Sequence, residues 1–270
     1  MYSSVQSRRI RGSAGEPLPT VFQALDNAGT RFLRGQLSLV AAGPGTGKSV
    51  FALTLALQSG VNSMYFSADS DPATQVAREI AISAGWSIER ATEAVLAPEL
   101  PAEAYEKLSG LPIRFDFRAS PSLDDIEGIM ESYEEVYGDY PALIVVDNIT
   151  NVRTDSSDSD DPFGGLESMM DYLHTMARET QAHVMGLHHV TGPYNDGDKP
   201  IPLSGIKGQI GRVPELILTL HKTPDPLEVM DTLHVSTVKN RGGKADASGY
   251  SFVDLMFNGN MMKIADFRSA

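Results

Sequence analysis

A short glycine-rich stretch constrains this chain more than any other part of its sequence. Residues 42–49 read Ala-Gly-Pro-Gly-Thr-Gly-Lys-Ser. The apolar run 37–41 before them predicts a buried strand, and the apolar run 50–57 after them predicts a buried helix. Glycines let backbone N–H groups turn inward around an anion, and a helix N-terminus adds unpaired N–H groups. The stretch therefore predicts a phosphate-binding loop; a glycine-rich turn without a ligand is the alternative interpretation.

The side chains of this loop predict a nucleotide with β- and γ-phosphates and a Mg²⁺ ion. Lys48 can reach the two phosphates, and the Ser49 hydroxyl can ligate the metal. Ala42 stands where the usual pattern has a glycine, and a small residue is compatible with that position at a strand end. The predicted nucleotide-binding residues of the loop are Gly43, Pro44, Gly45, Thr46, Gly47, Lys48, Ser49 and Val50.

The composition excludes several classes of protein. The chain has 270 residues, of which 41% are hydrophobic, enough for one large α/β domain or two small ones. It contains no cysteine, which excludes disulfides and thiolate zinc sites. Neither a membrane-spanning run of about 20 apolar residues nor the core of a signal peptide is present. The lack of cysteine is compatible with a reducing cytoplasm, and we expect a cytoplasmic protein. The formal net charge of -13 means that any nucleic-acid binding must be local.

A second strong signal lies about a hundred residues after the phosphate loop. Residues 142–147 read Ala-Leu-Ile-Val-Val-Asp, and a run of apolar β-branched residues is typical of a central parallel strand buried on both faces. Ligands bind open α/β sheets at the C-terminal ends of such strands. Asp147 is therefore the predicted acidic ligand of Mg²⁺, together with Ser49.

The rest of the chain alternates strands with helices and then continues with strands in succession. Asp71 and Pro72 predict the start of one helix, and Ser122 with Asp125 predicts a capping box at another. This order predicts an α/β fold with a mostly parallel sheet flanked by helices and a C-terminal antiparallel extension. Further strands are predicted at 63–67, 113–117, 183–188, 215–220, 232–238, 250–255 and 261–264.

Two polar segments are predicted to lie outside this core. Residues 1–20 are polar and turn-rich, and we interpret them as a flexible N-terminal arm ahead of one nucleotide-binding domain at 21–270, with a defined phosphate or partner contact as the alternative. The acidic run 154–161 is interpreted as a mobile loop, with a calcium-binding loop as the alternative, although its ligand spacing does not fit one.

The order of these parts resembles the RecA-like P-loop ATPases and, within them, the motor domain of the DnaB-type replicative helicases. The likeness runs from about residue 18 to about residue 265. It rests on five segments in the same order, which are 33–53 around the phosphate loop, 67–70 with Arg78, 147–149, 187–190 and 239–243.

The resemblance implies ATP as the nucleotide and assigns catalytic roles around it. Asp69 aligns with the family's glutamate that polarises the attacking water, and it is shorter by one methylene. His189 aligns with the polar residue that senses the γ-phosphate, a glutamine in the family, and a partly buried strand-end histidine is the alternative reading. Arg78 follows Asp69 at the family spacing and is a candidate contact near the nucleotide or the subunit interface; a surface helix arginine is its alternative.

The resemblance also implies assembly. Lys239 and Arg241 align with residues that reach into the ATP site of the neighbouring subunit, where a cation accelerates phosphoryl transfer. An exposed basic turn is the alternative interpretation. If the first reading holds, a monomer is catalytically incomplete, and the family implies a homo-oligomer in the form of a hexameric ring.

The implied partners are single-stranded DNA and a helicase loader or primase. The family's DNA-facing loops correspond to 151–165, where Arg153 is the one basic residue, and to 191–209, which contains Lys199 and Lys207. The leading hypothesis is a Mg²⁺-dependent ATPase and DNA helicase that translocates on single-stranded DNA in the replication of a phage or plasmid. Two alternatives remain: a RecA-like recombinase or recombination mediator, and a KaiC-like ATP-dependent regulatory protein that binds no DNA.

Overall fold

The structure is a computed structural model, and it describes residues 2–154, 164–225 and 230–267. Within these ranges the chain forms eight α-helices and nine strands, numbered in chain order. The helices are α1 Ser4–Arg9, α2 Gln23–Asn27, α3 Lys48–Gln58, α4 Pro72–Ala84, α5 Ile88–Leu96, α6 Ala102–Ser109, α7 Leu123–Tyr137 and α8 Gly164–Thr180. The strands are β1 Leu37–Ala42, β2 Ser63–Ser67, β3 Ile113–Asp116, β4 Leu143–Asp147, β5 His183–His189, β6 Leu216–Thr223, β7 Asp231–Asn240, β8 Phe252–Asn258 and β9 Lys263–Asp266.

All of the described strands belong to one sheet with the order β3-β2-β4-β5-β1-β6-β7-β8-β9. The first six strands of this order pair in parallel, and β6 to β9 pair antiparallel. The predicted α/β fold with an antiparallel C-terminal extension is therefore confirmed. The phosphate loop follows β1 and Asp147 ends β4, and the single strand β5 separates these two strands in the sheet.

Alternate residues of the central strands fill two layers of core. Leu143 and Val145 of β4 belong to a cluster with Phe51 and Leu53 of α3. The intervening residues of β4 belong to a second cluster, on the side of α7 and α8. Because both faces of β4 are covered, its near-continuous apolar sequence is the one expected of a central parallel strand.

The helix starts predicted from capping residues are confirmed. The Asp71 carboxylate accepts from the backbone N–H of Thr74 at 3.1 Å and caps α4. Ser122 and Asp125 form a reciprocal capping box at α7.

Helices α4, α5 and α6 pack around a small apolar cluster of their own that includes Ile80 and Trp86. None of the helices in the described residues is both long and apolar enough to cross a membrane.

The N-terminal segment contacts the core in its second half. Residues 4–9 form α1, and none of its side chains is buried. The backbone of Gly15 and Glu16 then hydrogen-bonds to Arg34, and Leu18 is buried. The flexibility of residues 1–20 stays a prediction. The acidic run predicted as a mobile loop lies, apart from Thr154, outside the described residues.

Candidate functional site

The turn between β1 and α3 has the backbone of an anion cradle. Gly45 and Gly47 adopt positive φ angles of 70° and 112°, which strain residues that carry a Cβ. Gly47 immediately precedes the first residue of α3, Lys48, so the unpaired N–H groups of a helix N-terminus follow the turn. A phosphate group is the ligand that such a turn fits.

Lys48 is held at the base of this turn. Its side chain is buried, and its Nζ lies 3.3 Å from the carbonyl oxygen of Ala42 and 3.5 Å from that of Gly43. Burial lowers the pKa of Lys48, and the negative charges of Asp147 and Asp69 oppose that shift. The structure therefore brings three of the predicted site residues within electrostatic range of one another.

Asp147 ends β4 in a buried position that is 1% exposed. Its carboxylate accepts a hydrogen bond of 2.8 Å from the hydroxyl of Tyr65 in β2. Burial raises the pKa of Asp147, and the Ser49 and Tyr65 hydroxyls counteract the rise. Sequence reasoning did not identify Tyr65. The available signal was a tyrosine within a buried strand, because a buried phenol usually needs a hydrogen-bond partner.

The loop after β2 lies against the end of β4. The backbone N–H groups of Ala68 and Asp69 donate to the Asp147 carbonyl oxygen at 2.7 and 3.2 Å. The Asp69 side chain is exposed, and its charge acts on Lys48, Asp147 and His189. Arg78 of α4 donates to the Ser70 hydroxyl at 3.1 Å, which ties this helix to the same loop.

His189 ends β5 next to these residues and is half-buried. Its Nε2 lies 2.5 Å from the side-chain amide nitrogen of Asn148, which follows Asp147 directly. Burial and the charge of Lys48 lower the pKa of His189. Asn148 is 1% exposed and is a second residue that sequence reasoning missed, since nothing in its local sequence indicates a contact with the next strand of the sheet.

The oxygen groups beside the phosphate loop fit a magnesium ion. Mg²⁺ prefers hard oxygen ligands and is usually held by one or two protein groups together with substrate phosphates. The hydroxyl of Ser49 and the carboxylate of Asp147 are such groups, and they interact with each other in this structure. These two side chains are therefore a suitable protein donor set for the predicted ion.

Lys239 and Arg241 lie near the N-terminal ends of the parallel strands, whereas the phosphate loop lies at their C-terminal ends. In β6, Leu216 pairs with Asn240 of β7, whereas Leu220 pairs with Ala42 beside the phosphate loop. The four residue steps between these β6 positions span roughly 13 Å at a strand rise of about 3.3 Å per residue. The two cationic side chains therefore do not lie next to the phosphate loop of their own chain.

Backbone carbonyl groups accept hydrogen bonds from both cationic side chains at this end of the strands. Lys239 Nζ donates to the carbonyl oxygens of Gly211 and Arg212 at 2.6 and 2.7 Å. The Arg241 guanidinium donates to the Arg212 carbonyl at 2.9 Å and lies 3.5 Å from the Glu215 carboxylate. Burial, followed by the charge of Arg241, lowers the pKa of Lys239.

The segment after β5 crosses the phosphate loop. A Cβ added to Gly43 would lie 2.3 Å from the carbonyl oxygen of Asn195, and one added to Gly197 would lie 2.4 Å from the Thr46 hydroxyl. Residues 195–197 therefore pack directly on the anion cradle. The glycine pattern alone predicts tight turns and gave no indication of this contact.

The strand, turn and helix around Lys48, with an acidic residue at the end of a nearby parallel strand, define a P-loop ATPase domain of the RecA-like class. Residues 17–266 match the family model described as the DnaB-like helicase C terminal domain. The chain belongs to this family, the ATP-hydrolysing motor domain of replicative helicases. The resemblance inferred from the five sequence segments is confirmed.

Relatives and solved structures that resemble this chain match it over nearly its whole length. The gene 65 protein of Mycobacterium phage L5 is 63% identical over 267 residues, which are 99% of each chain. Among solved structures, one ATPase domain superposes with a TM-score of 0.78 at 16% identity, over 98% of this chain and 96% of that one. A DnaB-like replicative helicase, solved in work on its interactions with primase, gives a TM-score of 0.78 at 18% identity, over 98% and 65% of the two chains. At these identities the solved structures establish the shared fold.

Proposed function

We propose that this protein is the ATP-driven motor of a phage replicative helicase and that it translocates along single-stranded DNA. The observation that carries the proposal is the convergence of Lys48, Asp147, Asp69 and His189 around one phosphate loop in a DnaB-like domain. The high identity to a mycobacteriophage protein supports the phage setting.

The phosphate loop binds the triphosphate of ATP. Backbone N–H groups of residues 43–50 surround the phosphates, and Lys48 exchanges its carbonyl partners for the β- and γ-phosphate oxygens. Ser49 and Asp147 would hold Mg²⁺, which would neutralise charge on the phosphate oxygens. Arg78 fixes the loop that carries Asp69 through its contact with Ser70.

Asp69 and His189 act on the reacting end of the nucleotide. The exposed carboxylate of Asp69 orients the attacking water and accepts its proton. His189 donates a hydrogen bond to a γ-phosphate oxygen and so distinguishes ATP from the product. The position of both residues beside Lys48 supports these roles.

Lys239 and Arg241 complete the ATP site of a neighbouring subunit in a hexameric ring. Their location at the strand ends opposite the phosphate loop supports a role between subunits, because they lie away from the ATP site of their own chain. Backbone carbonyls orient each of the two side chains, so less conformational entropy is lost when they bind the neighbouring subunit.

The DNA-contacting surface is a groove of about 380 Å³ next to the site. Its lining includes parts of both loops expected to face DNA, namely Ile149, Thr150, Val152, Thr154, the start of α8 and the exposed Lys207. Lys207 supplies a cation for the DNA backbone, and Arg153 and Lys199 lie in the same two loops. A primase or a helicase loader is the further partner, by analogy with the helicase solved in work on primase interactions.

ATP hydrolysis by single-site variants tests this proposal. Lys48→Ala should abolish hydrolysis, and Arg241→Ala should reduce it strongly while ATP binding persists, because the arginine acts on the transition state. A mixture of the two variants should hydrolyse more ATP than either variant alone, since some interfaces then combine an intact Lys48 with an intact Arg241. Arg90→Ala, at an exposed arginine paired with Glu103, is the control. Unchanged turnover in Arg241→Ala would contradict the shared site.

The net charge of -13 favours a second candidate, an ATP-dependent regulatory protein that binds no DNA. Electrostatic attraction between protein and DNA is strongest at low salt. The helicase proposal therefore expects binding of a single-stranded oligonucleotide at low salt, together with stimulation of hydrolysis. Absence of binding under these conditions would favour the regulatory candidate.

A further inference from the structure

The side chain of Asn148, the residue that follows the predicted metal ligand Asp147, contacts the predicted phosphate sensor His189. It is buried, and both the oxygen and the nitrogen of its amide group have a hydrogen-bond partner. The inference about Asn148 rests on the proposed function, because it concerns the hydrogen bond that His189 donates to the γ-phosphate.

The orientation of the Asn148 amide is determined by Thr150. The backbone N–H of Thr150 approaches one end of the amide at 3.1 Å, and the Thr150 hydroxyl approaches the same end at 2.8 Å. A backbone N–H can only donate, so this end must be the oxygen, Oδ1. The NH₂ group is therefore the end that faces His189 Nε2 at 2.5 Å.

This orientation determines which nitrogen of His189 carries the proton. An amide NH₂ group can only donate, so Nε2 must present its lone pair, and a neutral imidazole then carries its proton on Nδ1. Nδ1 has no hydrogen-bond partner in the described part of the chain. In the opposite tautomer, two donors would face each other at Asn148, and Nδ1 would be an acceptor that cannot donate to a phosphate oxygen.

We propose that Asn148 is a positioning residue that holds His189 in the Nδ1–H tautomer, so that Nδ1–H is the donor offered to the γ-phosphate. Asn148 does not touch the nucleotide and acts through the imidazole. A glutamine at the sensor position, as in the family, needs no residue to select a tautomer, because its amide NH₂ group is always a donor.

Two other histidines of β5 provide internal references. His188 Nε2 lies 2.8 Å from the carbonyl oxygen of Lys207, and a carbonyl only accepts, so His188 carries its proton on Nε2. His183 Nδ1 lies 2.9 Å from the carbonyl oxygen of Leu33, so His183 carries its proton on Nδ1. The structure thus predicts that His189 matches His183 and differs from its direct neighbour His188.

The tautomers can be measured by magic-angle-spinning ¹⁵N NMR of protein labelled at its histidine side chains, a method that also works for large assemblies. The resonances of His189 are assigned by their loss in His189→Gln. The native protein at pH 8 should show Nδ1–H for His189 and Nε2–H for His188. Nε2–H at His189 in the native protein would overturn the proposal without the need for any Asn148 variant. In Asn148→Ala, an Nε2–H population should appear at His189; an unchanged spectrum would also overturn the proposal.

Kinetics in a double-mutant cycle separate positioning from mere structural support. Asn148→Ala should lower kcat about tenfold in the native background, the size of effect expected for one misplaced hydrogen bond. In the His189→Gln background the same change should alter kcat less than about twofold, since glutamine has no tautomers. Equal losses in both backgrounds would assign Asn148 a structural role only. If His189→Gln and Asn148→Ala both leave kcat unchanged, the sensor role in the proposed function fails, whereas the NMR result still tests the Asn148 contact itself.

Discussion

At the scale of single residues, the hydroxyl of Tyr65 stabilises the charged form of Asp147. It donates at 2.8 Å to a carboxylate whose pKa is raised by burial, and it counteracts that rise. Tyr65→Phe should raise the pKa further, because a donor to the charged form is lost. In the proposed function the ionised carboxylate of Asp147 binds Mg²⁺, so the acidic limb of the pH profile for ATP hydrolysis should move to higher pH by about one unit.

The matched control for this prediction is Tyr172→Phe. Tyr172 also uses its hydroxyl as a donor, to the carbonyl oxygen of Leu123 at 3.3 Å, but it packs with the α7 and α8 cluster. Its removal should leave the acidic limb in place. An unmoved limb in Tyr65→Phe, or an equal shift in both variants, would contradict the role assigned to Tyr65.

Local sequence identified some of the site residues and missed others for a physical reason. Lys48 and Asp147 were found because their positions follow from one turn and one strand end, which are encoded by adjacent residues. Tyr65 and Asn148 were missed because their partners lie on neighbouring strands, 82 and 41 residues away in sequence. The roles of the predicted residues stay proposals until variants are measured.

At the scale of elements, the contact between the phosphate loop and residues 195–197 depends on the absence of a side chain at Gly43. A Cβ there would lie 2.3 Å from a backbone carbonyl, a distance that forces one of the segments to move. Gly43→Ala should therefore displace the crossing segment and weaken ATP binding. Hydrogen exchange of residues 192–198 should speed up in this variant.

Gly192→Ala provides the matched control for that experiment. Gly192 lies in the same crossing segment, but a Cβ added there meets no atom within 4 Å. Its exchange rates and nucleotide affinity should stay close to native. Native exchange rates in Gly43→Ala would contradict a direct contact between the two segments.

The elements differ in how far they could be predicted from sequence. The start of α4 at Asp71 and the capping box of α7 follow from residues within one helical turn, and both predictions are confirmed. The sheet class also followed from the alternation of strands and helices. The strand order and the crossing segment could not be predicted, because both depend on contacts between residues far apart in the chain.

At the scale of the whole molecule, buried histidines make stability depend on pH. Burial lowers the pKa of His183, His188 and His221 to about 4. Between about pH 6.5 and pH 4 the unfolded chain therefore binds protons that the folded chain does not. The stabilisation is fully present above about pH 6.5 and is lost as the pH falls, by up to about 1.4 kcal/mol per pH unit for each histidine.

Acid titration of the unfolding free energy tests this account. His183→Gln should reduce the slope between about pH 6 and pH 4.5 by about 1.4 kcal/mol per unit, because one of the three groups is removed. His174→Gln, at a more exposed histidine paired with Glu215, is the control. Slopes that are identical in native protein and His183→Gln would show that His183 is not held neutral by burial.

The measurement that tests the central claim most directly is ATP-dependent unwinding of a forked DNA duplex by the full chain, with Lys48→Ala as the control. A helicase motor built around this phosphate loop should separate the strands in the presence of ATP and Mg²⁺, and the Lys48→Ala protein should not. If the native protein hydrolyses ATP but leaves the fork intact, even when a loader or primase is added, the account of the protein as a helicase motor is contradicted.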